Sequence, residues 1–323
     1  MLLQKIKAIV KVILKTILIP LRNKLVVFVY NIQKRDIIEV QLVGGLCNKL
    51  YCLFAAVEIA QNKNYKILEP EFGWREKILF SDIYDIEYFN QNFNNIIVPR
   101  SDLKEREIKK RVRFKKYEKI DLWQFSEKNF AYMRNNKVID TNSVMIKALK
   151  VLKLKNEYND IISNNANHNI AIQIRIESDW QRVAKNILIP ENQIFLINPI
   201  DLIATLKDFT SIKDIFFTTG ENQEEIKSLF SENGFKSSYF YNENLEYEIN
   251  AAINFEILVQ ANIFIGMTRS TYTNLISMKR RLLLGNSENY IYNFKNKFVK
   301  RIDYGLFTNA RDSITIKPGI IGG

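Results

Sequence analysis

The sequence predicts an α/β fold in two halves, each a parallel sheet covered by helices. Three observations carry that prediction. A chain of 323 residues, 47% hydrophobic and 12% aromatic, is long enough for two domains of about 150 residues each. A β-rich run over residues 37–43 (IIEVQLV) enters the pair Gly44-Gly45 and then a helical pattern. Beyond residue 169 apolar strands alternate with helices, the pattern of a parallel sheet whose ligands bind at the carboxyl ends of its strands.

The first element is unusual. Residues 1–30 mix apolar side chains with Lys5, Lys7, Lys11, Lys15, Arg22 and Lys24 and contain no acidic residue. Lys7, Lys11 and Lys15 recur at helical spacing, with Ile6, Ile9, Val10, Ile13, Leu14 and Ile17 around them. The lysines interrupt any apolar span before Pro20, and no small-residue cleavage site follows, so neither a spanning helix nor a signal peptide fits well. A basic amphipathic helix lying on an anionic membrane surface is expected; a degenerate anchor and a packed core helix are the alternatives. The expected location is cytoplasmic, peripheral on the membrane.

The first domain is expected over residues 36–155. Its strand runs into Gly44-Gly45, and residues 48–61 form a helix with Leu50, Leu53, Phe54, Val57 and Ala60 on its apolar face. Such a turn lets a ligand approach the backbone and points helix N–H groups at an anion. Residues 101–119 carry a second basic cluster, read either as a solvated helix or loop or as a contact for anionic lipid or a phosphorylated acceptor. No recognised nucleic-acid module accompanies it, so nucleic acid is not an expected partner.

An Asn-rich stretch over residues 156–169 reads as a linker, followed by a second domain over residues 165–323 whose last helix is expected to return to the first. Strands are expected at 170–176, 215–219, 238–241 and 262–266, and helices at 199–207, 223–230, 251–260 and from 271.

Composition excludes some chemistry. The single histidine, His168, lies in a polar run and reads as a loop residue, which removes His-rich zinc sites and histidine-dependent triads. Cys47 and Cys52 have neither zinc nor disulfide-framework spacing and read as reduced thiols. The net charge of +12 points to an anionic partner.

Three segments at strand ends offer what a diphosphate needs: residues 44–50 (GGLCNKL), 175–180 (RIESDW) and 266–272 (GMTRSTY). Arg175 can grip phosphate oxygens through paired hydrogen bonds, or instead form a structural ion pair with Glu177 or Asp179. Ser270 and Thr271 sit where a strand gives way to a helix, which suits phosphate binding and helix capping equally.

These residues carry a resemblance. The run IAIQIRIESDW resembles the His-x-Arg-x-x-x-Asp-Trp segment of the GDP-fucose protein O-fucosyltransferases, and FIGMTRSTY resembles that family's Phe-Ile-Gly…Ser-Ser-Phe segment. GGLCNKLY resembles the glycine-rich first turn shared with bacterial fucosyltransferases. The likeness covers about residues 38–285, leaving the basic start outside it. It implies a GT-B-like architecture, two Rossmann-like domains whose parallel sheets face a cleft, and inverting transfer from a GDP-sugar without metal or other cofactor. The acceptor would be a glycan, a lipid-linked sugar or a protein hydroxyl.

By the same resemblance Arg175 would assist departure of GDP. Glu177 and Asp179, which lie near the same phosphate pocket in the sequence, are candidate bases. Gly44, Gly45, Asn48, Gln173, Ser270, Thr271 and Tyr272 would line the donor site. Two departures stand out: Gln173 occupies the position of the family's histidine, and Asn254 that of an acidic residue expected to read guanine, with Glu256 nearby as a substitute. They leave open a donor with another nucleotide. Asp82 and Asp85 are further candidates for the base, and a noncatalytic protein that binds anionic glycans or membranes is the reading from another class.

Overall fold

The computed structural model describes residues 37–42, 44–73, 76–105, 107–108, 112–114, 143–184, 196–267, 270–294 and 297–301. The basic segment of residues 1–30, the stretch beyond residue 301 and residues 106, 109–111 and 115–119 of the second basic cluster lie outside them.

The first half holds a four-stranded parallel sheet. Strand β1 (Ile37–Glu39) leads through Gly44-Gly45 into α1 (Leu46–Lys63) and back to β2 (Lys66–Leu68). Two short helices, α2 (Phe80–Ile83) and α3 (Ile86–Asn92), precede β3 (Ile97–Val98), and β4 (Val112–Phe114) completes the order β3-β2-β1-β4. Strand β4 falls inside the basic cluster expected to be helix or loop; its backbone pairs with β1 in the register Ile37↔Val112. Pairing with a neighbouring strand overrides the charge pattern there.

Helix α4 (Val144–Val151) follows, then a 3-10 turn (Asn156–Tyr158) and α5 (Asn159–Asn165). This corrects the reading of residues 156–169 as a linker. Tyr158 and Ile162 are buried, and the Tyr158 hydroxyl donates to the Asp82 carbonyl at 3.0 Å, so the segment packs onto the first half.

The second half holds a six-stranded sheet. After β5 (Ile170–Gln173) come α6 (Ser178–Ala184), α7 (Pro199–Phe209), β6 (Asp214–Thr218), α8 (Gln223–Glu232) and β7 (Lys236–Ser238). Then follow α9 (Tyr247–Gln260), β8 (Ile263–Gly266), α10 (Thr271–Leu283), β9 (Asn289–Phe294) and β10 (Lys297–Lys300). The order is β10-β9-β8-β5-β6-β7, parallel except for β10 against β9. Relative to its own first strand, each half runs third-second-first-fourth. That is the doubly wound order, which opens a crevice at the switch point beside the first strand.

Side-chain alternation on the second sheet divides the core. Ala171, Phe216 and Phe264 face α9 and α10 in one buried cluster, while Ile170, Ile172, Ile215, Phe217 and Ile265 face the opposite way in another. The first cluster does not stop at the second half. It runs on through Leu50, Leu53, Phe54 and Val57 of α1 and Ile146 and Leu149 of α4, so α9 and α10 pack on the first half as well as on their own sheet. The buried ion pair of Lys49 on α1 with Glu248 on α9, at 2.7 Å, ties the halves further, and the Lys49 ammonium also donates to the Phe72 carbonyl.

Arg280 closes the far end of this packing. Fully buried, it donates to the carbonyls of Val259 at 2.9 Å and of Ala261, satisfying groups left open at the end of α9. Burial lowers its pKa to about 10, against a smaller opposing effect of Glu288.

Candidate functional site

The carboxyl ends of β1, β5, β6, β7 and β8 border a cleft of about 320 Å³. The first half contributes Gly45, Leu46, Cys47 and Asn48 at the start of α1. The second contributes Gln173, Arg175, Glu177 and Trp180 after β5, Thr218, Thr219, Gly220 and Gln223 around the end of β6, and Phe240 and Tyr241 after β7. Tyr247, Asn250, Ala251 and Asn254 form one stripe of α9, and Ser270, Thr271 and Tyr272 open α10.

The glycine turn works by geometry. Gly44 has φ +78°, a left-handed conformation, and a Cβ on it would lie 2.5 Å from Asn48 Nδ2. Only glycine lets Asn48 fold back over the turn. The Asn48 Oδ1 accepts a hydrogen bond from Thr271 Oγ1 at 2.7 Å, so the starts of α1 and α10 are joined at the cleft.

At the switch point a short chain of hydrogen bonds links β5 to β8. The Met267 N–H donates to Thr273 Oγ1 at 3.3 Å, and that hydroxyl donates to Gln173 Oε1 at 2.6 Å. Gly266 makes room for it, since a Cβ there would lie 2.5 Å from Thr273 Cγ2. Ser270 caps α10, its Oγ accepting from the Thr273 N–H at 3.3 Å. The N-terminus of a 13-residue helix therefore opens on the cleft beside Gln173.

Arg175 follows β5. Its main-chain N–H donates to the Tyr292 hydroxyl at 3.1 Å, and its guanidinium lies 3.4 Å from Glu177 Oε2, 3.2 Å from Asp179 Oδ2 and 5.1 Å from the centre of the Trp180 ring. Both carboxylates weighed as its structural partners are therefore engaged. They differ in kind. Glu177 is buried and anchored, its Oε1 accepting from the Gly220 N–H at 2.8 Å, whereas the Asp179 side chain is 59% exposed and does not line the cleft.

Asn254 is locked. Its Nδ2 donates to the carbonyls of Phe240 at 3.0 Å and Asn250 at 2.9 Å, while Oδ1 is buried without a hydrogen-bond partner. Two carbonyl acceptors on one side fix which end of the amide is nitrogen. Asn250, one turn earlier, spends its own amide on the loop below: Nδ2 donates to the carbonyls of Asn242 and Leu245, and Oδ1 accepts from the Asn242 N–H.

Of the residues read from sequence, the cleft brings together Gly45, Asn48, Gln173, Arg175, Glu177, Asn254, Ser270, Thr271 and Tyr272, with Gly44 shaping the turn behind them. Glu256 is a correction. It lies off the cleft and pairs with Lys279 at 2.5 Å. Asp82 and Asp85 are corrections too: Asp82 Oδ2 accepts from the Leu79 N–H at 2.7 Å, and Asp85 caps α3 by accepting from the Tyr88 N–H at 2.9 Å. Neither lines the cleft.

Sequence reading missed the Thr218–Gly220 strand end, Phe240, Tyr241 and the α9 stripe at Tyr247, Asn250 and Ala251. The stripe was visible as the i, i+3, i+4, i+7 spacing that ends on Asn254. Neither cysteine is in a disulfide and both are buried, and burial, with Glu256 adding to it, pushes the Cys47 thiol well above its usual range. That thiol is a wall of the cleft and not a nucleophile. Among the described residues no group of three or more His, Cys, Asp or Glu side chains is placed to hold a metal, and no helix is long and apolar enough to cross a membrane.

No family model matches the sequence, and no curated protein matches it either. Solved structures do match it. POFUT1 in complex with GDP superposes with a TM-score of 0.53 at 12% identity, over 76% of this chain and 94% of that one. The POFUT1 apo-form gives 0.54 at 12% identity, over 79% and 97%. NodZ alpha-1,6-fucosyltransferase co-crystallized with GDP gives 0.47 at 11% identity, over 81% and 96%. The chain shares the fold of POFUT1, an α/β fold of the class expected from its sequence.

Proposed function

We propose that this protein is a glycosyltransferase that takes its sugar from a GDP-linked donor, in a fucosyltransferase-like, inverting transfer to a hydroxyl of a glycan, a lipid-linked sugar or a protein. One observation carries the reading: Arg175 and the Ser270-capped start of α10 line the same cleft on either side of the β5/β8 switch point. A guanidinium and a helix N-terminus aimed at one space stabilise the charge that develops as a nucleoside diphosphate departs. The fold shared with POFUT1, solved with GDP and with GDP-fucose, supports the choice of donor.

In this reading the diphosphate takes the place of Asp179 on the Arg175 guanidinium, because that carboxylate is solvent-screened and weakly held. Glu177, fixed by Gly220, keeps the guanidinium in place throughout. Ser270 and Thr271 offer main-chain N–H groups to the same phosphates, and Asn48 stands on the first-half side, near the transferred sugar. These groups supply the stabilisation that a metal provides in other transferases. The basic segment of residues 1–30 would hold the enzyme on an anionic membrane.

The test is calorimetric titration of the full chain with GDP and with UDP, in the absence of divalent metal. Selective binding of GDP that Arg175→Ala weakens at least tenfold is expected. Binding of neither nucleotide would overturn the proposal.

A further inference from the structure

The turn that carries Arg175 is held by a residue outside the cleft. Glu177, between β5 and α6, reaches across to the turn between β6 and α8, where its Oε1 accepts from the Gly220 N–H at 2.8 Å. Glu221 reaches back. Its Oε2 accepts from the Ser178 N–H at 3.1 Å and its Oε1 from the Ser178 hydroxyl at 2.8 Å. Adjacent residues on each turn thus exchange carboxylates between positions 43 residues apart in sequence.

The local chain explains each contact. Ser178 is the first residue of α6, whose opening N–H groups have no partner inside the helix, and Glu177 just before it has turned its own carboxylate to Gly220. Glu221 supplies the missing acceptor, and a charged one makes the stronger bond. Gly220 permits the approach, since a Cβ there would lie 2.9 Å from Glu177 Cγ. The Thr219 hydroxyl donates to the Glu221 carbonyl at 3.1 Å and steadies the second turn from within.

We propose that Glu221 is a positioning residue for Arg175: by clasping Ser178 it holds the turn after β5 so that the guanidinium faces the diphosphate of the donor. The inference rests on the proposed role of Arg175 toward a GDP-linked sugar and adds a residue that none of the three strand-end motifs contains. The guanidinium lies 3.4 Å from Glu177 Oε2, an oxygen that accepts no hydrogen bond, so their pairing depends on where the turn sits. The Tyr292 hydroxyl takes the Arg175 N–H at one end of the turn, and Glu221 takes the Ser178 N–H at the other. Between these anchors the main chain has little freedom, and the cation is presented already in place. Glu221 is exposed and does not line the cleft, so its effect reaches a ligand through the turn.

The experiment measures GDP binding by calorimetry on the full chain for the parent, Glu221→Ala, Glu221→Gln, Arg175→Ala and the double variant of Arg175→Ala with Glu221→Ala. Glu221→Ala should weaken GDP by about fivefold, the worth of one or two hydrogen bonds. Glu221→Gln should stay within about twofold of the parent, because an amide can accept from the Ser178 N–H and donate to its hydroxyl. In the Arg175→Ala background the loss of Glu221 should change nothing further, which a general loosening of the fold would not reproduce. Undiminished binding by Glu221→Ala, or the same loss with and without Arg175, would overturn the inference while leaving the GDP-sugar reading intact. A loss in Glu221→Gln equal to that in Glu221→Ala would overturn it too. Failure of the parent to bind GDP would bring down both readings together.

Discussion

Thr271 Oγ1 donates a hydrogen bond to Asn48 Oδ1 at 2.7 Å, and this contact joins two helix starts that lie 223 residues apart in sequence. It sits at the cleft, one residue along α1 from the buried pair of Lys49 with Glu248. The first turn of α1 is thus held from the second half by two polar contacts of different strength. Replacing Thr271 with valine keeps the shape and removes the donor. Thr271→Val should lower unfolding stability by about 1 kcal/mol and weaken GDP binding, while Thr271→Ser restores both. Denaturant titration beside calorimetry reads the two effects; equal behaviour of the two variants would show that the hydroxyl contributes nothing.

The ion pair of Lys49 and Glu248 should behave as a buried pair does. Both side chains are less than a tenth exposed, so removing one leaves the other charged and desolvated. Lys49→Met alone should cost about 3–5 kcal/mol, whereas the double variant Lys49→Met with Glu248→Leu should recover most of the loss. Denaturant melts of the single and double variants check this, and additive losses would show that the charges do not depend on each other.

Asp179 and Glu177 separate two roles around Arg175. Asp179→Asn should leave stability within about 0.5 kcal/mol of the parent, because the carboxylate is mostly exposed. It should also tighten GDP binding by removing a carboxylate that competes for the guanidinium. Glu177→Gln should weaken GDP binding, because it discharges the anchored partner that orients Arg175. The two variants are expected to move the dissociation constant in opposite directions, and a shift in the same direction would refute the division of roles.

Much of this arrangement was legible because local rules and the fold agree. The run from β1 through Gly44-Gly45 into α1 needs a left-handed glycine and a helix start, and sequence displays both. The strand–helix alternation after residue 169 dictates a parallel sheet, and parallel sheets place their sites at strand ends. Arg175, Ser270 and Thr271 followed from that rule. What was hidden depended on facing. Glu256 lies two residues beyond Asn254, a turn of about 200° around α9, which carries it from the cleft to Lys279. The partner that locks Asn254, the Phe240 carbonyl, comes from a loop whose path no periodicity encodes. Residues 156–165 misled because their asparagines suggested a linker, while Tyr158 and Ile162 supply enough buried surface to seat a helix.

Gly44→Ala should be costly for two reasons that act together. The left-handed backbone at φ +78° disfavours any Cβ by about 1–2 kcal/mol, and the added carbon would meet Asn48 Nδ2 at 2.5 Å. Relief requires Asn48 to leave Thr271, so the variant should lose GDP affinity together with stability. Gly45, next in sequence, has nothing within 4 Å of a built Cβ, and Gly45→Ala should be mild in both assays. Parallel melts and titrations of the two variants separate the roles of the adjacent glycines; equal losses would show that the turn is not read as described.

His168 gives a pH dependence that can be assigned to one residue, since it is the only histidine in the chain. Its ring stacks on Phe216 with centroids 4.8 Å apart, and its Nε2 is buried without a hydrogen-bond partner. Burial lowers its pKa below the usual value near 6.5, against smaller opposing effects of Asp214 and the Asn165 main chain. The unfolded chain therefore takes up the proton first as pH falls. The stability His168 confers is complete above the unfolded pKa and is lost as pH drops from there through the lower folded value. Denaturant melts at about pH 7.5 and about pH 5.5 should show the parent weakening at the lower pH, with His168→Gln weakening distinctly less. An equal decline in both proteins would place the loss on carboxylates and show that the imidazole on Phe216 is free to charge where it stands.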